Sequence, residues 1–441
     1  MIPSSINGAD TAWLLVCAAL VLFMVPGLAM FYAGLVRRTN TLAMLQQNLV
    51  PLGIISITWV LVGYSLAYSN DLFGGFVGDL GLFGLRHLDV APAPAKHVVV
   101  PDIAIPTLAF VTYEMMFAVI TPALITGATA SRLKPIGWVV VLALWSIFVY
   151  PIVAHWLFNP HGWMAQWGVQ DWAGGLVVHA SAGAAALALL VVVGRRAGWP
   201  QTTSVAHSIP LAVLGGGILW FGWFGFNAGD GLQANGVAAQ AFLNTTIAAA
   251  GGMVAWLFVV RRSGGRVTVV ASITGAVAGL ATVTPAAGYV NTLSALCIGL
   301  IAGAVCHAAL RLKSVFRFDD ALDVIAVHFV GGVLGTLLLG LFGSHAVNAI
   351  GSDGLFFGGG ASLLGKQAVG VVVVVAFSFA VTWVIAVVTQ ATVGLRLQPD
   401  EQEDMDRIEQ GTDAYHLDGY DEHVVPAAME AGDHTAAPPR A

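Results

Sequence analysis

The stretch DWAGGLVVH at residues 171–179 and the stretch DALDVIAVH at residues 320–328 both place an acid eight positions before a histidine. Each stretch lies at the start of a long apolar run. At about 1.5 Å of helix per residue, both histidines would lie roughly 12 Å inside an apolar layer about 30 Å thick. Ionisable groups at that depth are costly, so the repeated spacing indicates a functional pair near a membrane midplane.

The composition around these stretches excludes an ordinary soluble domain. Of 441 residues, 57% are hydrophobic and only 10% are charged, whereas soluble domains carry about 25% charged residues. Continuously apolar runs predict an all-α polytopic membrane protein rather than a barrel of short, alternating strands. The eleven predicted transmembrane helices lie at about 11–36, 41–68, 105–130, 135–156, 173–194, 205–228, 236–260, 268–284, 289–310, 321–342 and 367–394.

The connections between these runs predict the orientation. Thirteen basic side chains fall in every second connection, whereas the other connections hold only Arg86, Lys96 and Lys366. Basic residues concentrate on the cytoplasmic side, so the N-terminus is predicted outside and the C-terminus inside. The thirteen are Arg37, Arg38, Arg132, Lys134, Arg195, Arg196, Arg261, Arg262, Arg266, Arg311, Lys313, Arg317 and Arg396. Residues 1–10 lack a basic region and precede a run too long for a signal peptide, so the first helix is expected to be retained.

The acid-to-histidine repeat also predicts the internal symmetry. It relates the fifth helix, which enters from outside, to the tenth, which enters from inside. Helices 1–5 and 6–10 would then form an inverted repeat, with an extra C-terminal helix, and such folds place the pathway at the repeat interface.

Two domains follow from the charge distribution. Residues 1–399 carry 16 basic and 12 acidic side chains, whereas residues 400–441 carry 2 basic and 12 acidic ones. We interpret 1–399 as the membrane domain and 400–441 as an acidic cytoplasmic tail. Residues 400–420 are compatible with either a solvated or a packed segment, and disorder is expected beyond them.

His179 and His328 are the residues most suited to carry chemistry. A neutral imidazole is both donor and acceptor, so two rings in contact can share one proton and still bind a small polar solute. A metal site is the competing interpretation, but two imidazoles need further ligands and no HExxH-like pattern supplies one. The three cysteines form no CxxC pair, and no GxxxxGK(S/T) loop indicates ATP hydrolysis.

The two acids are expected to differ. Both fall at helix starts, where a carboxylate can cap free N–H groups, and Asp320 is expected to do so. Asp171 lies among tryptophans on the outer side, and an aromatic run from Trp220 to Phe226 precedes a second outer acid, Asp230. Aromatic faces and carboxylates attract cations, which predicts a vestibule for a small cation. Because the residues beneath look apolar, a cation able to lose a proton, such as ammonium, would be the one to pass.

Six motifs together resemble the ammonium transporter (Amt/Mep/Rh) family over about residues 10–420. They are 26–34 (PGLAMFYAG), 171–179, 222–229 (GWFGFNAG), 284–289 (TPAAGY), 320–328 and 391–396 (ATVGLR). The resemblance implies a homotrimer of eleven-helix protomers in the cytoplasmic membrane, each with its own pore. Tail motifs at 401–403 and 411–415 resemble the segment through which a PII-type protein regulates the family, although Gln410 replaces a frequent histidine.

The resemblance also assigns roles to single residues. His179 and His328 match the paired pore histidines, and Phe117 and Phe226 match the stacked phenyl gate. The cation-recruitment residues are matched by Asp171, Tyr113, Trp223 and either Phe158 or Trp163. Two positions depart from the family: Asp230 replaces a small hydroxyl residue and Glu114 an amide, and we expect both acids to strengthen cation recruitment.

These observations predict a transporter rather than an enzyme, with no cofactor, metal or nucleic acid. It would recruit ammonium outside, remove a proton at the gate and conduct ammonia past the histidines, with or without a relayed proton. Methylammonium is the expected substrate analogue. The alternative is an ammonium sensor that signals through its tail.

Overall fold

The computed structural model describes residues 6–86, 88, 104–201 and 205–415. Predictions for Lys96, for the start of the chain before residue 6 and for the tail beyond residue 415 lie outside these residues.

Within the described residues, ten helices are long and apolar enough to cross a membrane, and a shorter apolar helix accompanies them. The helices confirm a multi-pass helical membrane protein. The run at 268–284, predicted as a full span, forms a helix of only 15 residues. The eleven helices are α1 Gly8–Leu35, α2 Arg38–Tyr68, α3 Thr107–Thr129, α4 Pro135–Trp167, α5 Gly175–Val193, α6 Ile209–Gly229, α7 Gly236–Arg262, α8 Val269–Val283, α9 Thr292–Val315, α10 Ile325–Phe342 and α11 Ser362–Thr392.

Several helices begin where a polar side chain can accept hydrogen bonds from free backbone N–H groups. Asn7 accepts from Ala9 and Asp10 at the start of α1, and Asn235 caps α7 in the same way. Such caps stabilise a helix start by roughly 1 kcal/mol.

Helices at matching positions of the predicted repeat pack against one another, α1 along α6 and α5 across α10. Glycine allows the first approach: a Cβ built on Gly215 would lie 2.3 Å from the backbone nitrogen of Phe31, and one on Gly27 would lie 2.6 Å from Ile218. Small residues of this kind are what membrane helices use to pack closely.

Three helices contain a π-helical turn: Trp59–Gly63 in α2, Gly175–Ala180 at the start of α5 and Ile325–Phe329 at the start of α10. Such turns occur frequently at functional sites. The second and third carry His179 and His328.

Two short antiparallel strands lie in the α2–α3 connection, β1 Asp71–Leu72 and β2 Val77–Gly78. The backbone N–H of Trp163 donates to the carbonyl of Gly75 in the turn between them. The hairpin therefore packs over the end of α4.

The first part of the acidic tail is packed, which decides the alternative left open for residues 400–415. A short helix, α12 Met405–Gln410, lies against the start of α2. The carboxylate of Asp406 accepts from the N–H groups of Leu42 and Ala43 at 3.0 and 2.9 Å. The tail thus supplies a cap that the start of α2 would otherwise lack.

Candidate functional site

The two histidines lie in direct contact in the centre of the bundle. Nδ1 of His179 is 3.3 Å from Nδ1 of His328, and the ring centroids are 5.2 Å apart. Both side chains are almost fully buried, with 1% and 4% exposed. One Nδ1 must carry the shared proton and the other must accept it, so the two rings are held as opposite tautomers.

The acids that begin both motifs play the same structural part. The Asp171 carboxylate accepts from four consecutive N–H groups, those of residues 174–177, at 2.6 to 3.2 Å. The Asp320 carboxylate accepts from Val324 and Ile325 at 3.1 and 2.7 Å. The cap expected of Asp320 is confirmed, and Asp171 also caps its helix. Each cap fixes where its helix starts, so the common spacing brings both histidines to the same depth.

Two glycines, whose place beside the histidines the sequence analysis did not predict, allow this contact. Gly183 and Gly332 each lie four residues after a histidine. A Cβ built on Gly183 would lie 2.4 Å from that of Phe329, and one on Gly332 would lie 2.8 Å from that of His179. The repeated His-x3-Gly spacing was the available signal.

Phe117 and Phe226 form a closely packed pair beside the histidines, with their rings tilted by 32° to each other. Their ring centroids are 4.3 Å apart, and both side chains are buried. The Phe226 ring lies 6.1 Å from that of His179. Tyr113 packs against Phe117 at 4.9 Å, and its hydroxyl donates to the carbonyls of Gly225 and Phe226. That hydroxyl therefore fixes α6 behind the phenylalanine pair.

Trp223 packs against the histidine pair. Its ring stacks on His179 at 5.5 Å, and its indole N–H donates to the Thr284 hydroxyl at 3.0 Å. These contacts hold the orientation of the His179 ring, and the recruitment role of Trp223 stays a prediction.

The two candidates for the vestibule aromatic have different surroundings. Phe158 is partly exposed and packs against the core. Trp163 packs edge-to-face on Trp156 at 6.0 Å, beneath the hairpin turn. The backbone N–H of Trp163 donates to Gly75 in this turn, so Trp163 is attached to the hairpin that packs over the end of α4.

The two acids that depart from the family lie near the phenylalanine pair. The Tyr68 hydroxyl donates to Oε2 of Glu114 at 2.6 Å, and the Glu114 side chain is buried. Asp230 follows the last residue of α6 and is partly exposed. Burial raises the pKa of Asp230, and the negative charges of Glu114 and Asp171 raise it further. The three carboxylates therefore share one electrostatic environment.

A cavity of about 230 Å³ reaches His328 from the opposite side. Phe31, Tyr32, Val277 and Asp323 are among its lining residues. This is the side that the basic connections predict to be cytoplasmic. Over the described ranges, no three His, Cys, Asp or Glu side chains cluster as a metal site would require.

A family model described as the Ammonium Transporter Family matches residues 12–415 of the chain. The chain belongs to the ammonium transporter family. An ammonium transporter from Mycobacterium bovis is 41% identical over 450 residues, covering 97% of this chain and 94% of the relative. The transporter is accordingly not an enzyme, and its substrate class is ammonium or ammonia.

Solved structures of similar proteins share the fold. The crystal structure of Saccharomyces cerevisiae Mep2 superposes with a TM-score of 0.82 at 34% identity, covering 90% of this transporter and 92% of that chain. A structure titled "Sensor Amt Protein" gives a TM-score of 0.82 at 29% identity, covering 91% and 98%.

Proposed function

We propose that the transporter binds NH4+ at an outer mouth, removes one proton there and conducts NH3 past His179 and His328 into the cytoplasm. The observation that carries this proposal is the succession of contacts that leads from the phenyl pair through the histidines to a cavity. Acids lie near a buried phenyl pair, the phenyl pair lies against His179, and His328 opens to a cavity.

The acids support cation selection at the mouth. Asp171, Glu114 and Asp230 influence one another electrostatically, and none forms an ion pair with a basic side chain among the described residues. Like charges in one site disfavour ionisation of all members unless a cation joins them. A small monovalent cation would therefore be attracted to this mouth and an anion repelled.

The phenyl pair supports passage of the neutral molecule. Two buried phenyl rings cannot replace the hydration shell of an ion, and stripping that shell costs far more than binding returns. Ammonium can give up its charge by losing a proton, whereas potassium cannot. Ammonia, once formed, is small and uncharged enough to pass between the rings when they move.

The histidine pair supports binding of ammonia beyond the gate. The shared Nδ1 proton leaves one Nε2 as acceptor and the other as donor. Nε2 of His179 is buried and has no hydrogen-bond partner in the part of the chain that the structure describes. Ammonia can both donate and accept a hydrogen bond, so it would supply the missing partner of His179 Nε2.

Further expectations belong to the same proposal. The transporter would lie in the cytoplasmic membrane as a homotrimer, with residues 1–399 as its membrane domain. The packed start of the tail would present the cytoplasmic surface to a PII-type regulator. The sensor alternative is not favoured, because a relative named as a transporter is 41% identical and the sensor-titled structure is 29% identical.

Uptake of labelled methylammonium by full-length protein in liposomes tests the function. We expect uptake that ammonium inhibits and that potassium at the same concentration does not. A pure sensor would accumulate no label above empty liposomes, and that result would overturn the proposal.

A further inference from the structure

Glu114 is a carboxylate inside a membrane helix, one helical turn before the gate residue Phe117. Within the described residues it forms no ion pair, and its one side-chain hydrogen bond is accepted by Oε2 from Tyr68. Its exposed fraction is 4%. An ionisable group in this position is costly and is retained for function by default.

Three tyrosines surround the same region. Tyr64, Tyr68 and Tyr150 pack around Trp59, with ring centroids 5.8, 6.2 and 6.1 Å from the indole. The hydroxyls of Tyr64 and Tyr150 are buried and lack a hydrogen-bond partner among the described residues. Unsatisfied buried hydroxyls destabilise a fold, so two of them near one carboxylate require an explanation.

The backbone holds this tyrosine shell against the helix that carries Glu114. The indole N–H of Trp59 donates to the carbonyl of Val111, three residues before Glu114, at 3.2 Å. Trp59 itself begins the π-helical turn of α2. The other two π-helical turns of the membrane helices carry His179 and His328, so this one marks a third unusual site.

We propose that Glu114 is the base that takes the proton from ammonium at the outer side of the gate, an inference that rests on the proposed function. An N–H bond of ammonium breaks and its electron pair stays on nitrogen. The proton forms an O–H bond on Oε1 of Glu114, and ammonia passes the gate. Tyr68 stabilises the carboxylate before the transfer, and the free hydroxyls of Tyr64 and Tyr150 solvate the site. The proton then returns to water at the outer mouth.

The groups around Glu114 permit this role. Tyr68 donates to Glu114 from α2, and the other titratable groups that interact with its charge are Tyr64, Tyr113, Tyr150 and, at the end of α6, Asp230. None of them is cationic. Among these groups, therefore, no cationic side chain neutralises the negative charge of ionised Glu114. The carboxylate can lose that charge by accepting a proton or can pair it with the arriving ammonium, as a proton acceptor must.

Glu114→Gln tests the proposal, because the amide oxygen can still accept from Tyr68 but cannot take a proton. We expect the maximal rate of methylammonium uptake in proteoliposomes to fall at least tenfold, whereas the half-saturating concentration should rise only about two- to fivefold, as loss of one charge at the mouth predicts. In the unmodified protein the maximal rate should rise with external pH, because only the ionised base can accept a proton, and Glu114→Gln should lose that rise. Asp353→Asn, the same charge change in the α10–α11 connection, should behave like the unmodified protein.

Several results would overturn the proposal. One is a raised half-saturating concentration with an unchanged maximal rate, which would make Glu114 a recruitment residue. Another is an external-pH profile that Glu114→Gln leaves intact. A third is one inward charge per methylammonium taken up, which would mean that the proton does not return outside. Failure of the proposed function is distinguishable, because the unmodified protein itself would then show no uptake.

Discussion

Nδ1 of His179 lies 3.3 Å from Nδ1 of His328, although 149 residues separate them in the chain. The contact joins the first turns of two helices that begin in the same way. Each has a carboxylate cap, a π-helical turn and a glycine four residues after the histidine. The symmetry of the helix starts therefore places the rings, and the glycines bring the backbones close enough for them to touch.

Replacement of either histidine by alanine should reduce methylammonium uptake at least tenfold. The Nδ1 proton can be shared only between two rings, and this sharing makes one Nε2 a donor and the other an acceptor. Uptake by the double variant should equal that of the less active single variant, because the two histidines act as a unit. His345→Ala, whose ring bonds a loop carbonyl at Gly351, serves as the control. Full uptake by the double variant would make the rings packing residues.

Gly183→Ala and Gly332→Ala should each destabilise the protein by about 1–3 kcal/mol, because the added methyl group overlaps the facing helix start. Uptake per folded molecule should also fall, since the shift would separate the histidines. Thermal unfolding in detergent and uptake are the measurements. Gly217→Ala is a matched control in a membrane helix, because a Cβ built on Gly217 meets nothing within 4 Å. Equal effects of all three changes would contradict this explanation.

Asp319 should stabilise the helix ends that the basic connections predict to be cytoplasmic. It forms ion pairs with Arg196 at 2.7 Å and with the fully buried Arg132 at 3.4 Å. Asp319→Asn leaves Arg132 buried without its counter-charge and should cost about 3 kcal/mol. The partly exposed pair of Asp323 with Lys313 offers the comparison, and Asp323→Asn should cost at most about 1 kcal/mol.

The Asp319 effect should depend on pH in a defined direction. Burial raises the pKa of Asp319, but hydrogen bonds from Arg196 and the charge of Arg132 outweigh it and leave the pKa lowered. The stabilisation is therefore present above the unfolded-state pKa of about 4 and is lost as pH falls through the folded-state value. Thermal unfolding of Asp319→Asn and the unmodified protein should converge in acid, and a constant difference would contradict the ion-pair account.

Glu409 should weaken packing of the tail as pH rises. Burial and the nearby charges of Asp406 and Glu401 raise its pKa to about 7, and its Oε1 is buried without a hydrogen-bond partner among the described residues. A raised acid pKa stabilises the packed tail below the unpacked value of about 4.5, and that stabilisation is lost as pH rises through about 7.

Glu409→Gln removes that titration and should keep the tail packed at pH values above about 7. Hydrogen exchange of residues 400–415 measures the packing, with the exposed Asp400→Asn as control. Identical exchange in Glu409→Gln and the unmodified protein above that pH would refute the assignment.

Asp230→Ser should weaken apparent methylammonium affinity roughly two- to fivefold at low ionic strength, because it removes one of the charges at the mouth. The difference should shrink at high salt, where exposed charges are screened. Asp353→Ser provides the control. Unchanged affinity at low ionic strength would exclude a recruiting role for Asp230.

Much of the candidate site was accessible from the sequence, but its contacts were not. The acid-to-histidine spacing predicted the His179–His328 pair because helix rise converts residue number into depth. Trp223 was assigned to the cation mouth by its resemblance to the family, and only the packing of α6 shows that its ring also stacks on His179. Packing of residues 400–415 could not be predicted either, because an acidic segment can be solvated or packed with the same composition.

The sequence by itself determined which segments are membrane helices, because continuous apolarity is a property of each segment alone. It also determined the family and predicted a common depth for both histidines. Only the tertiary structure decided which side chains meet: the glycines that admit the histidine contact, the tyrosine shell near Glu114 and the Asp406 cap on α2. Those contacts depend on how helices cross, and crossing is set by packing between residues far apart in the chain.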